Sequence, residues 1–147
     1  MTDLLTHAEY TAIAGDLDMP SAPFVDGRFR PGTGSAMPTL NPATGKVLAT
    51  IASAGEEDVD FAVRKAREAF AQGHWSRRHP SERKNILIKL CKYITRRSHE
   101  LAVMESLESG KPVRDCELID VPESIQAIKW HAEAIDKLYG QTGPSGD

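Results

Sequence analysis

The sequence predicts an α/β fold, with small β-hairpins leading and a run of amphipathic helices following. Three observations predict it. Asp26-Gly27 stands between Phe24-Val25 and Arg28-Phe29, and Asp-Gly supplies the positive φ angles of a type I′ hairpin turn. A second pair of strand-like runs, Met37–Asn41 and Lys46–Ser53, is joined by the turn residues Pro42-Ala43-Thr44-Gly45. From Glu56 onward, apolar residues return every three or four positions, the period of a helix with one buried face.

The elements follow in order. Residues 1–22 read as a leader carrying a short amphipathic helix at Leu4–Ile13. The hairpins and the loop Pro31–Ser35 come next. In the second hairpin Val47, Ala49 and Ile51 alternate with Leu48 and Thr50, so both faces are expected to be partly covered. Glu56-Glu57-Asp58 opens a helix with three acids at its positive end. Val59, Val63, Ala66 and Phe70 form its apolar stripe, Gly73 ends it, and Trp75 is expected to be buried over the junction. A second helix starts near Pro80 with Leu87, Leu90, Cys91 and Ile94 as its core stripe. Ser98 is expected to cap a third through Ser109, with Leu101, Met104 and Leu107 apolar. A broken turn then leads to Asp120-Val121-Pro122-Glu123, whose Asp-x-x-Glu spacing resembles a capping box. Val121, Ile125, Ile128, Ala132, Ile135 and Tyr139 form the stripe of a last helix, closed by Gly140. Residues 23–140 thus make the structured body. Residues 141–147 form a polar tail, and a packing helix ending in such a tail suggests a chain that stops mid-protein.

Composition excludes several function classes. A net charge of -3 in 147 residues gives no general attraction for nucleic acid or anionic lipid. The basic residues of Arg77–Arg97 interleave with a core stripe and lack stacking aromatics, so they read as a solvated face rather than a nucleic-acid footprint. No apolar run reaches the roughly 20 residues that span a bilayer. The acidic N-terminus is not a secretory signal, which predicts a reduced, cytoplasmic setting. Cys91 and Cys116 have no metal-ligand spacing, Cys91 falls on a core stripe, and Cys116 lies between Asp115 and Glu117, which would raise a thiol pKa.

One stretch poses a chemical question. In Leu107-Glu108-Ser109-Gly110-Lys111-Pro112 a helix stops at Gly110, and Glu108 sits in its last turn, where the carbonyl end is already negative. Either Glu108 is a solvated carboxylate that tolerates this penalty, or a cation lies between it and free backbone carbonyls.

The ordered set of motifs carries a resemblance. Phe24–Gly27, Asn41–Gly45, Glu57–Asp60, Ala66–Phe70 with Trp75, Glu82-Arg83, Leu107–Pro112 and Glu133–Gly140 together resemble the N-terminal segment of the aldehyde dehydrogenase superfamily. The flavour is nearest the enzymes of amino-aldehydes, such as γ-glutamyl-γ-aminobutyraldehyde or betaine aldehyde. The resemblance implies a partial aldehyde dehydrogenase fold without the complete cofactor and catalytic domains. It implies NAD or NADP as cofactor, an aldehyde as substrate and a homo-oligomeric full-length enzyme. In the family a cysteine thiolate attacks the aldehyde, hydride passes to the nicotinamide, and water activated by a glutamate hydrolyses the thioester. None of the motif positions for those catalytic or cofactor-binding residues lies in this chain, which alone is expected to be inactive. The matching accessory positions are a monovalent-cation site at Thr39, Leu40 and Glu108, where the family often has Asp in place of Glu108, and the substrate-tunnel mouth at Ile119, Asp120 and Glu123. Two carboxylates at such a mouth would attract a cationic amine, although helix capping alone also accounts for Asp120 and Glu123. The alternative to an enzyme segment is a non-catalytic interaction module derived from the family.

Overall fold

The computed structural model describes residues 4–137 and 140. Helix α1 (His7–Asp16) is followed by the hairpin β1 (Phe24–Val25)–β2 (Arg28–Phe29) and the hairpin β3 (Ala36–Leu40)–β4 (Val47–Ala52). Helices α2 (Glu56–Gln72), α3 (Pro80–Arg96), α4 (Ser98–Ser109), α5 (Val113–Asp115) and α6 (Val121–Ala134) complete the order, with a π-helical turn at Cys116–Asp120 between α5 and α6.

Both hairpins form as antiparallel pairs. Phe24 faces Phe29 and Val25 faces Arg28, with Asp26 at φ 56° and Gly27 at φ 77°, the two positive angles a type I′ turn requires. The Phe24 and Phe29 rings meet edge to face at 5.0 Å. In the second hairpin the register runs from Ala36↔Ala52 to Thr39↔Ala49 and then shifts to Leu40↔Val47, a bulge in the ladder. Leu48, Ala49, Ile51 and Ala52 are all half-buried, so both faces of β4 are partly covered.

The core is helical. Ala102, Cys116 and Val121 are buried together, with Ile94 and Ile125 packed against them. It lies where α3 and α6 pack side by side and α4 meets the π-turn. Lys84 Nζ, 2.9 Å from Asp136 Oδ2, ties α3 to the turn that follows α6.

Several expectations are corrected. The first helix begins at His7 rather than Leu4, because Thr6 and Glu9 form a capping box: Glu9 N–H donates to Thr6 Oγ1 (3.3 Å) and Thr6 N–H to Glu9 Oε2 (2.8 Å). Trp75 is 43% exposed rather than buried, since the turn after Gly73 carries it along the surface. The α2 stripe exists but lacks a partner among the described residues: Val59, Val63 and Phe70 are 52%, 48% and 75% exposed. Leu90 on the α3 stripe is 43% exposed, and Cys91 takes the buried place beside it.

Ser98 is the first residue of α4 rather than its cap, and no side chain caps that end. The buried positions of α4 are Ala102 and Val103, not Leu101, because the helix is wedged between α1 and the π-turn and its buried face is turned accordingly. The capping box at Asp120 does not form. Asp120 has helical angles (φ −64°, ψ −49°), its side chain makes no cap bond, and the chain runs from Val113 to Ala134 as one widened helix. Val121 N–H donates to Cys116 O, a bond one residue longer than the α-helical one, and this widening makes room for Pro122, which has no N–H to give. The last helix ends at Ala134, short of Gly140, and Ile135–Lys137 form a turn. Tyr139 and residues 141–147 lie outside the described residues.

Candidate functional site

The loop after α4 gathers the first group of predicted residues. Gly110 ends α4 in the left-handed conformation (φ 76°), and its N–H donates to Ser106 O at 3.0 Å. A Cβ built on Gly110 would stand 2.9 Å from Pro42 Cγ, so the α4 terminus presses on the turn of the second hairpin. Glu108 is exposed at that terminus. Thr39 is half-buried and Leu40 is 49% exposed, and the ladder is irregular between these two residues. The fold therefore brings the hairpin turn that follows Thr39 and Leu40 to the helix end that carries Glu108. Among the described residues no three His, Cys, Asp or Glu side chains cluster as metal ligands. A cation here would rely on backbone carbonyls with one carboxylate, the donor set of a hard, weakly held ion.

The second group surrounds the π-turn. Ile119 is 46% exposed and Glu123 is exposed, so both are available at the surface. Asp120 is half-buried, and Lys111 Nζ donates to its Oδ1 at 2.6 Å while Oδ2 is buried without a hydrogen-bond partner among the described residues. That hydrogen bond holds the Lys111 amine above its usual range. Asp120 is therefore already paired with a cation, while among the described residues Glu123 is in no ion pair. Below them the Cys116 thiol is wholly buried, and burial first, then the Asp120 and Glu105 charges, push it up. Cys91 is also buried. Neither thiol is poised as a nucleophile.

A third group was not anticipated. Glu117, in the π-turn, is 7% exposed. Its Oε2 accepts the Tyr10 hydroxyl of α1 at 2.6 Å, and its Oε1 lies 3.1 Å from His99 Nδ1 of α4. Glu117 and His99 border an open groove of about 600 Å³ between α3, α4 and α6, lined also by Val121, Ile125 and Trp130. Sequence reasoning missed this group because Tyr10 is 107 positions away from its partner. A partial signal existed: Val113, Glu117 and Val121 recur every four residues, so a continuous helix would have put Glu117 on the apolar face.

The loop before α2 is not a phosphate site. The glycine-containing loop before α2 is filled by an acid: Asp58 Oδ2 accepts Thr33 N–H (2.7 Å), Thr33 Oγ1–H (2.7 Å) and Gly55 N–H (2.9 Å). The amides that would hold a phosphate are taken, and the local charge is of the wrong sign.

Comparison with known proteins supplies the frame for these groups. Residues 29–147 match the model of the aldehyde dehydrogenase family. An aminoacetaldehyde dehydrogenase of Pseudomonas aeruginosa is 50% identical over 147 residues, covering 99% of this chain and 30% of the relative. The crystal structure of a γ-glutamyl-γ-aminobutyraldehyde dehydrogenase from Burkholderia cenocepacia matches with a TM-score of 0.92 and 36% identity, over 97% of this chain and 29% of that one. An indole-3-acetaldehyde dehydrogenase of P. syringae, in complex with NAD+, matches with a TM-score of 0.92 and 34% identity over the same shares. The chain thus spans about 30% of the length of these relatives.

Proposed function

The chain belongs to the aldehyde dehydrogenase family, and from that premise we propose that it forms the N-terminal part of an NAD(P)-dependent enzyme oxidising an amino-aldehyde to the carboxylic acid. The observation that carries this reading is the match of nearly the whole chain to less than a third of each relative, with the fold preserved at a TM-score of 0.92. The amino-aldehyde class is supported by the names of two of those relatives. The NAD-complexed structure and the family support the cofactor. The reading extends to a cytoplasmic homo-oligomer as the complete enzyme.

In this reading the chain supplies framework rather than chemistry. Both described cysteines are buried, and the loop before α2 refuses a phosphate. No step of the reaction is assigned to its residues. Purified and folded, the chain is expected to give no reduced cofactor from aminoacetaldehyde with NAD or NADP. Formation of reduced cofactor in the absence of any full-length enzyme would overturn this.

The accessory roles belong to the same proposal. A monovalent cation is held by Glu108 with backbone oxygens of Thr39 and Leu40, supported by the Pro42–Gly110 contact and the irregular ladder at β3. Thermal unfolding is expected to occur at higher temperature in potassium chloride than in tetramethylammonium chloride of equal strength, and Glu108→Ala is expected to abolish the difference. Equal midpoints for the unsubstituted chain would refute the site. Ile119, Asp120 and Glu123 stand at the mouth of the substrate tunnel. With Lys111 on Asp120, attraction for a cationic amine falls to Glu123.

A further inference from the structure

We propose that α1 is a strap fastened to the rest of the protein by the Tyr10–Glu117–His99 cluster, so that one hydroxyl–carboxylate contact decides whether the helix is docked or free. The inference is independent of the family reading.

The attachment is unusual in its balance. Helix α1 buries no residue fully, and it packs chiefly against α4. An element with little apolar burial opens locally at low cost. Yet it delivers the Tyr10 hydroxyl to a carboxylate that is 7% exposed. A buried carboxylate needs hydrogen-bond donors, and its neighbours here come from two other elements, Tyr10 of α1 and His99 of α4. Loss of the Tyr10 contact would leave Glu117 with His99 as its one close polar neighbour among the described residues. Undocking α1 therefore exposes a carboxylate together with the half-buried apolar face of Ile13 and Ala14. The helix itself is prepared to survive release, because Thr6 and Glu9 cap it internally.

The contact carries its own switch. Ionising the Tyr10 hydroxyl would set two anions against each other, with Glu9 of α1 adding a third and His99 of α4 the facing group on the far oxygen of Glu117. Burial, followed by the bond to Glu117, raises the Tyr10 pKa above the usual tyrosine range. The strap is therefore held at and below about pH 10 and released as pH rises through the elevated value.

Hydrogen exchange on the whole chain tests this. In Tyr10→Phe, which keeps the ring, the α1 amides are expected to exchange at least about tenfold faster, with α3 and α6 unchanged, as loss of a charge-assisted bond implies. In the unsubstituted chain the excess exchange at α1 over that intrinsic to the amides should rise above pH 10, and in Tyr10→Phe this step should be absent. Glu117→Gln, which keeps an acceptor but removes the charge, should give an intermediate acceleration. Unchanged α1 exchange in Tyr10→Phe, or equal acceleration in every helix, would overturn the proposal.

Discussion

Gly110 shows how much one residue fixes. It needs φ 76°, and a Cβ there would stand 2.9 Å from Pro42 Cγ. Gly110→Ala is therefore expected to destabilise the chain by about 1 kcal/mol for the conformation, and more for the contact, read as a lower urea midpoint. The Asp58 carboxylate makes a different prediction. Hydrogen bonds from Thr33 and Gly55 hold its pKa below the usual carboxylate value. Its stabilisation is thus present above about pH 4, the ordinary unfolded value, and fades as pH falls through the depressed one. Asp58→Ala should lower the unfolding midpoint at pH 7, and the gap to the unsubstituted chain should close by pH 2. Legibility at this scale divided by range. The Gly27 and Gly110 stops were legible because backbone geometry dictates them locally. Lys111–Asp120 and Tyr10–Glu117 were not, because a pair formed across the fold leaves no periodic trace.

Elements follow the same rule. The hairpins and the long helices α2 and α3 lie close to where turn chemistry and the helical period put them. The joint before α6 differed because Asp-x-Pro-x after a charged stretch has the pattern of a helix start. The π-turn instead absorbs the proline and keeps the helix going. The consequence is a changed surface, since it buries Cys116 and Glu117 and leaves Ile119 exposed. Helix α2 separates pattern from burial. Its stripe was legible, but its partner is not among the described residues, so Phe70→Ala should change the stability of this chain by less than about 0.5 kcal/mol. By contrast Ala102, fully buried beside Cys116 and Val121, has no room. Ala102→Leu is expected to cost roughly 1–3 kcal/mol in a denaturant titration. A large loss at Phe70 and none at Ala102 would mean that the helices pack otherwise than described.

For the whole molecule, Phe24, Trp130 and the α2 stripe of Val59, Val63 and Phe70 stand exposed among the described residues. Under the proposal that the chain is the N-terminal part of a longer enzyme, these faces are where the rest of that enzyme would pack. The family was legible in the sequence because its motifs are local and ordered. The chemistry was not, because no cluster of residues among those described carries a periodic or spaced signature of a reaction centre. Aldehyde preference belongs to this scale too. In a complete enzyme carrying this segment, Glu123→Gln should raise KM for a cationic amino-aldehyde about two- to fivefold and leave that for an uncharged aldehyde unchanged, the size of effect expected of an exposed charge.

The most direct measurement grafts the chain onto one of its relatives. The corresponding N-terminal portion of the Pseudomonas aeruginosa aminoacetaldehyde dehydrogenase, 50% identical over 99% of this chain, would be replaced by residues 1–147. Oxidation of aminoacetaldehyde would then be followed by the absorbance of reduced cofactor. The account predicts a folded hybrid with activity within about tenfold of the parent. A hybrid that folds and binds the cofactor but oxidises no aldehyde would contradict it.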